Sequence, residues 1–302
     1  MKKKSFYLAV VVFFGSLISL ILLLSTYCSG QSTDSAKLSV RSTLAGGVVY
    51  MLDCVNGFGG GNVAASIGPD GILLVDDMYK ATTPLVLEEL KKRSTAPVRF
   101  VINTHFHADH IQGNTMLSHS SVIIAQENLL KRFETKPGWA TPDAFPHLVF
   151  SEKMTIPFNG EDIRLFHLPN GHTDNDVFVY FPRSGVIHMG DTYFNGMFPA
   201  VYKEGGGDIL QMIGNLEKVL SDLPDGVRVI PGHGDLATKT DLQNYVAMLK
   251  ETTTIVSAAI RSGKPLAQLQ QEKVFSKYEN LGQGGAQTTD QYLTMLYKLL
   301  SP

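Results

Sequence analysis

The chain has 302 residues, of which 44% are hydrophobic and 18% charged, and its mean hydropathy is +0.03. That composition can bury a core, which excludes a disordered or collagen-like chain. Two cysteines exclude a disulfide scaffold, and a formal charge of −2 argues against a nucleic-acid partner, whose phosphates call for a basic surface.

Residues 1–30 read as a targeting segment and not as part of the fold. Lys2, Lys3 and Lys4 precede an apolar run from Phe6 to Leu24, and Cys28, Ser29 and Gly30 offer a cleavage site. The run has 19 residues, longer than the ~7–15 of most signal cores and close to the ~20 that span a bilayer. A cleaved signal and a membrane anchor at residues 6–24 both stay open. A lipoprotein signal at Cys28 fits less well, because bulky Tyr27 stands where a small residue is wanted. All three readings place the folded part in the periplasm or outside the cell, since the positive end stays inside. Without residues 1–30 the chain keeps 23 basic against 28 acidic residues, a net charge of −5. Only Cys54 then remains, and it reads as a small buried hydrophobe.

Residues 36–302 read as one domain. Strand signals occur at Gly47–Val55, Val63–Ile67 and Ile72–Val75. Between the first two lies GFGGGN, residues 57–62, which is either an ordinary hairpin turn or a mobile flap carrying Phe58 over a pocket. Thr82–Arg93 has helical spacing, Val98–Asn103 is a strand, a helix follows from about Asp109, and Val122–Ala125 is a strand. From Phe133 to Phe150 the aromatics Phe133, Trp139, Phe145 and Phe150 alternate with prolines, which suggests a loop and a substrate lip. Further strands are expected at Ile163–His167, Val177–Phe181, Val186–Met189 and Val227–Ile230. Helices are expected at Asp208–Leu220, Asp241–Arg261, Leu266–Gln271 and Gln287–Leu299. The last of these segments, 241–302, either pack on the domain or mediate a dimer. Strands followed by helices, twice over, give an α/β domain with two sheets inside and helices outside.

The chemistry concentrates in NTHFHADH, residues 103–110. His105, His107, Asp109 and His110 lie directly after a strand, where a rigid end can aim several side chains at one point. Imidazole nitrogens and a carboxylate suit zinc. His105 and His107 would serve one ion, and Asp109 and His110 a second. Three more residues supply the missing ligands, each after an apolar strand and a glycine: His172 in NGHT, Asp191 in GD and His233 in GH. Five of the nine histidines fall in this pattern. His119, His147, His167 and His188 lack it.

In that order, HFHADH, GHT, GD and GH resemble the metallo-β-lactamase superfamily. The resemblance implies an αββα sandwich of two mixed sheets, with helices on the outer faces and a metal pair at one edge between the sheets. It implies that His105, His107 and His172 bind one zinc ion and that Asp109, His110 and His233 bind the other. Asp191 would bridge them, and Asp76 in LLVD would stand behind the ligands and hold their geometry, with Asp77 the alternative one position on. Two zinc ions ~3.5–4 Å apart would share a hydroxide that attacks an acyl carbon, and Asp109 would orient it and pass a proton to the leaving group. The expected reaction is hydrolysis of a C–N or C–O acyl bond in a small molecule such as a β-lactam, a lactone or a related ester. A thioester hydrolase of the glyoxalase II type and a persulfide dioxygenase with one iron are the alternatives. Asp191 departs from the cysteine ligand of one well-known zinc β-lactamase subclass and looks like the bridging carboxylate of glyoxalase II and lactonases. Phe58, Trp139, Phe145, Tyr193 and Phe198 are expected either to line the pocket or to pack loops on the core.

Overall fold

The computed structural model describes residues 37–136 and 141–301. The targeting segment and Trp139 lie outside the described residues. Seven strands form the first sheet: β1 (Ser39–Gly46), β2 (Val49–Val55), β3 (Val63–Gly68), β4 (Gly71–Val75), β5 (Val98–Ile102), β6 (Val122–Gln126) and β7 (Leu148–Phe150). They lie side by side in chain order, antiparallel as far as β4 and parallel from β4 to β7. The second sheet holds β8 (Lys153–Phe158), β9 (Glu161–His167), β10 (Val177–Phe181), β11 (Val186–His188), β12 (Arg228–Ile230) and β13 (Ala237–Thr238). Its neighbours are antiparallel except the parallel pair β11 and β12.

Between the sheets lies a core that includes Met51, Leu73, Val75, Ile102, Ile163, Leu165, Val179 and Phe181, all buried. Burial of each such side chain is worth about 1.5–3 kcal/mol. The first sheet's outer face is covered by the helices α1 (Thr83–Lys91), α2 (Ala108–Ile111) and α3 (Asn114–Leu117), with Val86, Leu90 and Leu117 among the buried contacts. The short helix α4 (Glu127–Thr135) buries Leu129 and Phe133, four residues apart and so on one face. Helices α5 (Ile209–Asp222), α6 (Lys239–Arg261), α7 (Leu266–Gln271) and α8 (Thr289–Leu300) cover the second sheet. Residues 241–301 therefore pack on the sandwich. Among the described residues no helix is long and apolar enough to cross a membrane.

The αββα sandwich agrees with the expectation, and several local readings change. The stretch 133–150 is not a loop throughout: Phe133 lies in the last turn of α4 and Phe150 ends β7, and both are buried. Phe145 packs 5.3 Å from Phe133, so these rings face inward. Strand β1 has no counterpart in the sequence reading, because SVRSTLAG is a polar sheet edge with Arg41, Thr43 and Leu44 exposed. Strand β8 is an edge too, which is why it tolerates Pro157.

Candidate metal centre

Parallel strand pairs put carboxyl ends at one edge of a sheet, where α/β proteins place their ligands. In the first sheet Val75 of β4 pairs with Ile102 of β5, so Asp76 and the 103–110 turn emerge together. In the second, His188 of β11 pairs with Ile230 of β12, so Asp191 and His233 emerge together. His172 comes from the loop joining β9 and β10. The Val177 amide donates to the Thr104 carbonyl at 2.8 Å and ties the two edges to each other.

The seven residues collect into two groups, His105, His107, His172 and Asp191, and Asp109, His110 and His233. Within each group one ligand atom per residue lies within 4.8 Å of the others. The Asp191 carboxylate stands between the groups. Its Oδ2 is 3.8 Å from His105 Nε2 and 3.6 Å from His172 Nε2. Its Oδ1 is 3.1 Å from His110 Nε2 and 3.3 Å from His233 Nε2. Asp109 is 3.4 Å from His233 Nε2 and 3.7 Å from His110 Nε2.

Outer partners fix the tautomers. Asp76 accepts from the Thr104 amide at 2.7 Å and from the Thr104 hydroxyl at 2.8 Å. With its proton spent there, that hydroxyl accepts from His105 Nδ1 at 3.0 Å. His172 Nδ1 donates to the Ala200 carbonyl at 2.6 Å, and His110 Nδ1 to Asp76 Oδ2 at 2.7 Å. In its neutral form each of these rings keeps a bare Nε2 turned toward its group. Asp76, not Asp77, is the residue behind His110; the Asp77 carboxylate instead accepts from the Gly113 amide at 2.8 Å.

These donors fit metal ions. His107 Nδ1 lies 3.0 Å from His105 Nε2 and 2.9 Å from His172 Nε2, and one proton cannot satisfy three converging nitrogens. His110 Nε2 and Asp191 Oδ1 are buried without a hydrogen-bond partner, an expensive state unless a cation meets them. Burial pushes the His107 imidazole down to about 3, with His172 adding to the effect. Burial also lowers His105 and His172, so the three histidines of the first group are neutral lone-pair donors. In the second group burial opposes charge on His110 and His233, but the carboxylates prevail. Asp191 and Asp109 hold His110 well above its ordinary value and carry His233 up to about 9. Asp191 itself is held well below the carboxylate range by His233 and His110, against the effect of its burial.

Two glycines permit this packing. A Cβ on Gly232 would stand 2.0 Å from Asp191 Oδ1, and one on Gly61 would stand 2.1 Å from His110 Cε1. Gly61 also shows how the 57–62 segment behaves. Its amide donates to the Asp109 carbonyl at 3.0 Å, and the Asn62 amide donates to the Gly232 carbonyl at 2.7 Å. The base of the hairpin is thus pinned to both ligand turns. Only its tip stands out, with Phe58 66% exposed. The Phe58 ring lies 5.6 Å from His233 and 5.9 Å from Tyr79.

A cavity of about 700 Å³ opens over the two groups, lined by Phe58, His107, Asp109, His172, Asp191 and His233 and by Cys54, which is half-buried and not fully enclosed as expected. Tyr193 and Phe198 are not on its wall. Both are fully buried, Tyr193 against Tyr245 at 5.0 Å and Phe198 stacked on Tyr292 at 4.2 Å. The helices of the second sheet claim them, which the local sequence does not announce. Sequence reasoning also gave no role to Thr104 or Phe194. Thr104 lies inside the NTHFHADH motif, and Phe194 stacks on His233 at 5.2 Å. His188 and His167 make ordinary hydrogen bonds, to the Asn62 and Asp176 carbonyls.

An αββα sandwich with two His/Asp groups at the carboxyl edge of both sheets defines a class of metal-dependent hydrolases. The chain belongs to the metallo-β-lactamase superfamily, whose sequence profile matches residues 56–233. It is 22% identical over 163 residues to a metallo-beta-lactamase type 2 of Bacteroides fragilis, covering 54% of this chain and 64% of that one. It is 32% identical over 133 residues to a hydroxyacylglutathione hydrolase of Synechococcus sp. (strain JA-3-3Ab), covering 44% and 48%. The matched part is thus 64% and 48% of those relatives' lengths. Among solved structures, a metallo-beta-lactamase from Pontibacter korlensis superposes with a TM-score of 0.61 at 17% identity, over 70% of this chain and 99% of that chain.

Proposed function

We propose that the chain is an exported hydrolase with two zinc ions that cleaves a C–N or C–O acyl bond in a β-lactam, a lactone or a related ester. The observation that carries this reading is Asp191, whose two oxygens face two separate groups of histidines. His105, His107 and His172 would hold one ion, Asp109, His110 and His233 the other, with Asp191 shared. When bound, such ions lower the pKa of water toward ~7 and polarise a carbonyl. The chain's own part is to orient and to move protons. Asp109 reaches the cavity with its side chain only 17% exposed, so it can accept a proton from the attacking water and return it to the departing nitrogen or oxygen. Burial works against its charge, but His110 and the hydrogen bond with His233 hold its pKa below the ordinary carboxylate value. Phe58 gives the cavity mouth an apolar contact for an acyl group. Lys2 to Lys4 and the apolar run 6–24 support export.

Thioester hydrolysis is the second reading. The relatives named hydroxyacylglutathione hydrolases support it, as does a carboxylate at position 191. The test is hydrolysis of a chromogenic β-lactam, a lactone and a thioester by the zinc-loaded protein, with a chelator control and metal analysis. A chelator-sensitive kcat/KM above ~10⁴ M⁻¹s⁻¹ on one of them identifies the bond. Two zinc ions per chain support the hydrolase, whereas one iron points to the dioxygenase alternative. Background rates on all three substrates sink the proposal.

A further inference from the structure

His105, His172 and His110 each have a hydrogen-bonded partner on the ring nitrogen that faces away from the site. His107 differs. It turns Nδ1 inward, and among the described residues its Nε2 has no such partner. Its ring instead meets the Phe106 ring edge-on, with centroids 4.6 Å apart. Phe106 is buried beside Ile111, Leu129 and Phe133.

Arg132, from α4, stacks on Phe106. Its guanidinium carbon lies 4.4 Å from the Phe106 ring centre. The same group forks onto Asp174, donating to Oδ1 at 2.8 Å and Oδ2 at 2.7 Å, and donates once more to the Gly205 carbonyl at 2.7 Å. The Asp174 amide donates to that carbonyl too, at 3.1 Å, and Asn128 Nδ2 donates to the Asp174 carbonyl at 2.9 Å. The Arg132 side chain is only 12% exposed. Asp174 follows His172 by two residues. One planar cation therefore grips the ring behind His107 and the turn behind His172, whose inward nitrogens are 2.9 Å apart. A guanidinium suits this task because it stacks on an aromatic face and forks onto a carboxylate together.

We infer that Arg132 is a positioning residue for His107 and His172, acting through Phe106 and Asp174. The inference rests on the reading of the two groups as metal sites. It assigns Arg132 the part that a hydrogen-bond acceptor plays behind His105, His172 and His110.

The test is a stepwise cobalt(II) titration of the metal-free full chain, followed by visible absorption, with thermal unfolding of each metal-free variant alongside. The parent takes up two ions. Arg132→Met binds one of the two about 10–100-fold more weakly, the usual cost of losing an outer partner, and keeps its affinity for the other. Arg132→Lys, which retains the cation without the fork, recovers part of the loss. Parent affinity for both ions in Arg132→Met overturns the inference. So does an equal weakening of both ions in step with a lower melting temperature, which marks a merely structural pair. If Arg132→Met does not fold, Asp174→Asn takes its place with the same two criteria. A parent that takes up no cobalt overturns the metal-site reading and this inference with it; two ions in the parent with an indifferent Arg132→Met overturn the inference alone.

Discussion

The group of His105, His107 and His172 and the group of Asp109, His110 and His233 share Asp191 but differ in what stands behind them. Behind the first are a hydroxyl (Thr104), a carbonyl (Ala200) and an aromatic ring (Phe106). Behind His110 is a buried carboxylate, Asp76, while His233 lies between the rings of Phe58 and Phe194. The first group offers neutral nitrogens made poor proton acceptors by burial. The second gathers carboxylates around its imidazoles. A cation would thus be held in one place mainly by lone pairs and in the other largely by charge.

Changes at the shared residue should erase the difference. Asp191→Asn is expected to weaken both ions by more than the roughly 10–100-fold that losing an outer partner costs; stepwise cobalt titration checks this, and an effect on one ion alone would show that the carboxylate is not shared. Gly232→Ala should act in the same direction through its Cβ, 2.0 Å from Asp191 Oδ1. Asp109→Asn is next: the rate should fall by about 10²-fold or more, as for a group that handles protons in the transition state. A wild-type kcat with full metal content would remove Asp109 from the chemistry. Asp76→Asn separates the groups, with a loss of roughly 10–100-fold expected only for the ion held by His110. Equal losses at both sites would mean that Thr104, which joins Asp76 to His105, transmits the change. The smallest effect belongs to the rim. Phe58→Ala should raise KM by roughly fivefold, the worth of about 1 kcal/mol of apolar contact, with kcat nearly unchanged. Identical KM values for parent and variant would confine Phe58 to packing on His233.

How legible the site was depended on how local its pieces are. Four ligand candidates stand within six positions, and three more follow a strand and a glycine, so all seven could be picked out of the sequence. The aromatic residues could not be sorted in this way. Phe58 and Tyr193 both sit in short connections next to ligand strands. One ends 66% exposed at the mouth and the other is fully buried, because helix α6 brings Tyr245 against Tyr193 and among the described residues no helix does the same for Phe58. The sequence of the glycine-rich hairpin suits either an ordinary turn or a mobile flap. Its base is pinned by hydrogen bonds to Asp109 and Gly232, partners 48 and 170 residues away in the chain.

The sequence by itself determined the α/β class, the places of the main strands along the chain and the seven metal-site candidates, because strand periodicity and ligand chemistry are short-range properties. Only the tertiary structure decided which oxygen of Asp191 faces which group, that Asp76 and not Asp77 backs His110, and that Arg132 reaches both Phe106 and Asp174. Those outcomes depend on how two separately formed sheets meet at one edge. The distances that fix them run between segments whose separation along the chain carries no geometric information.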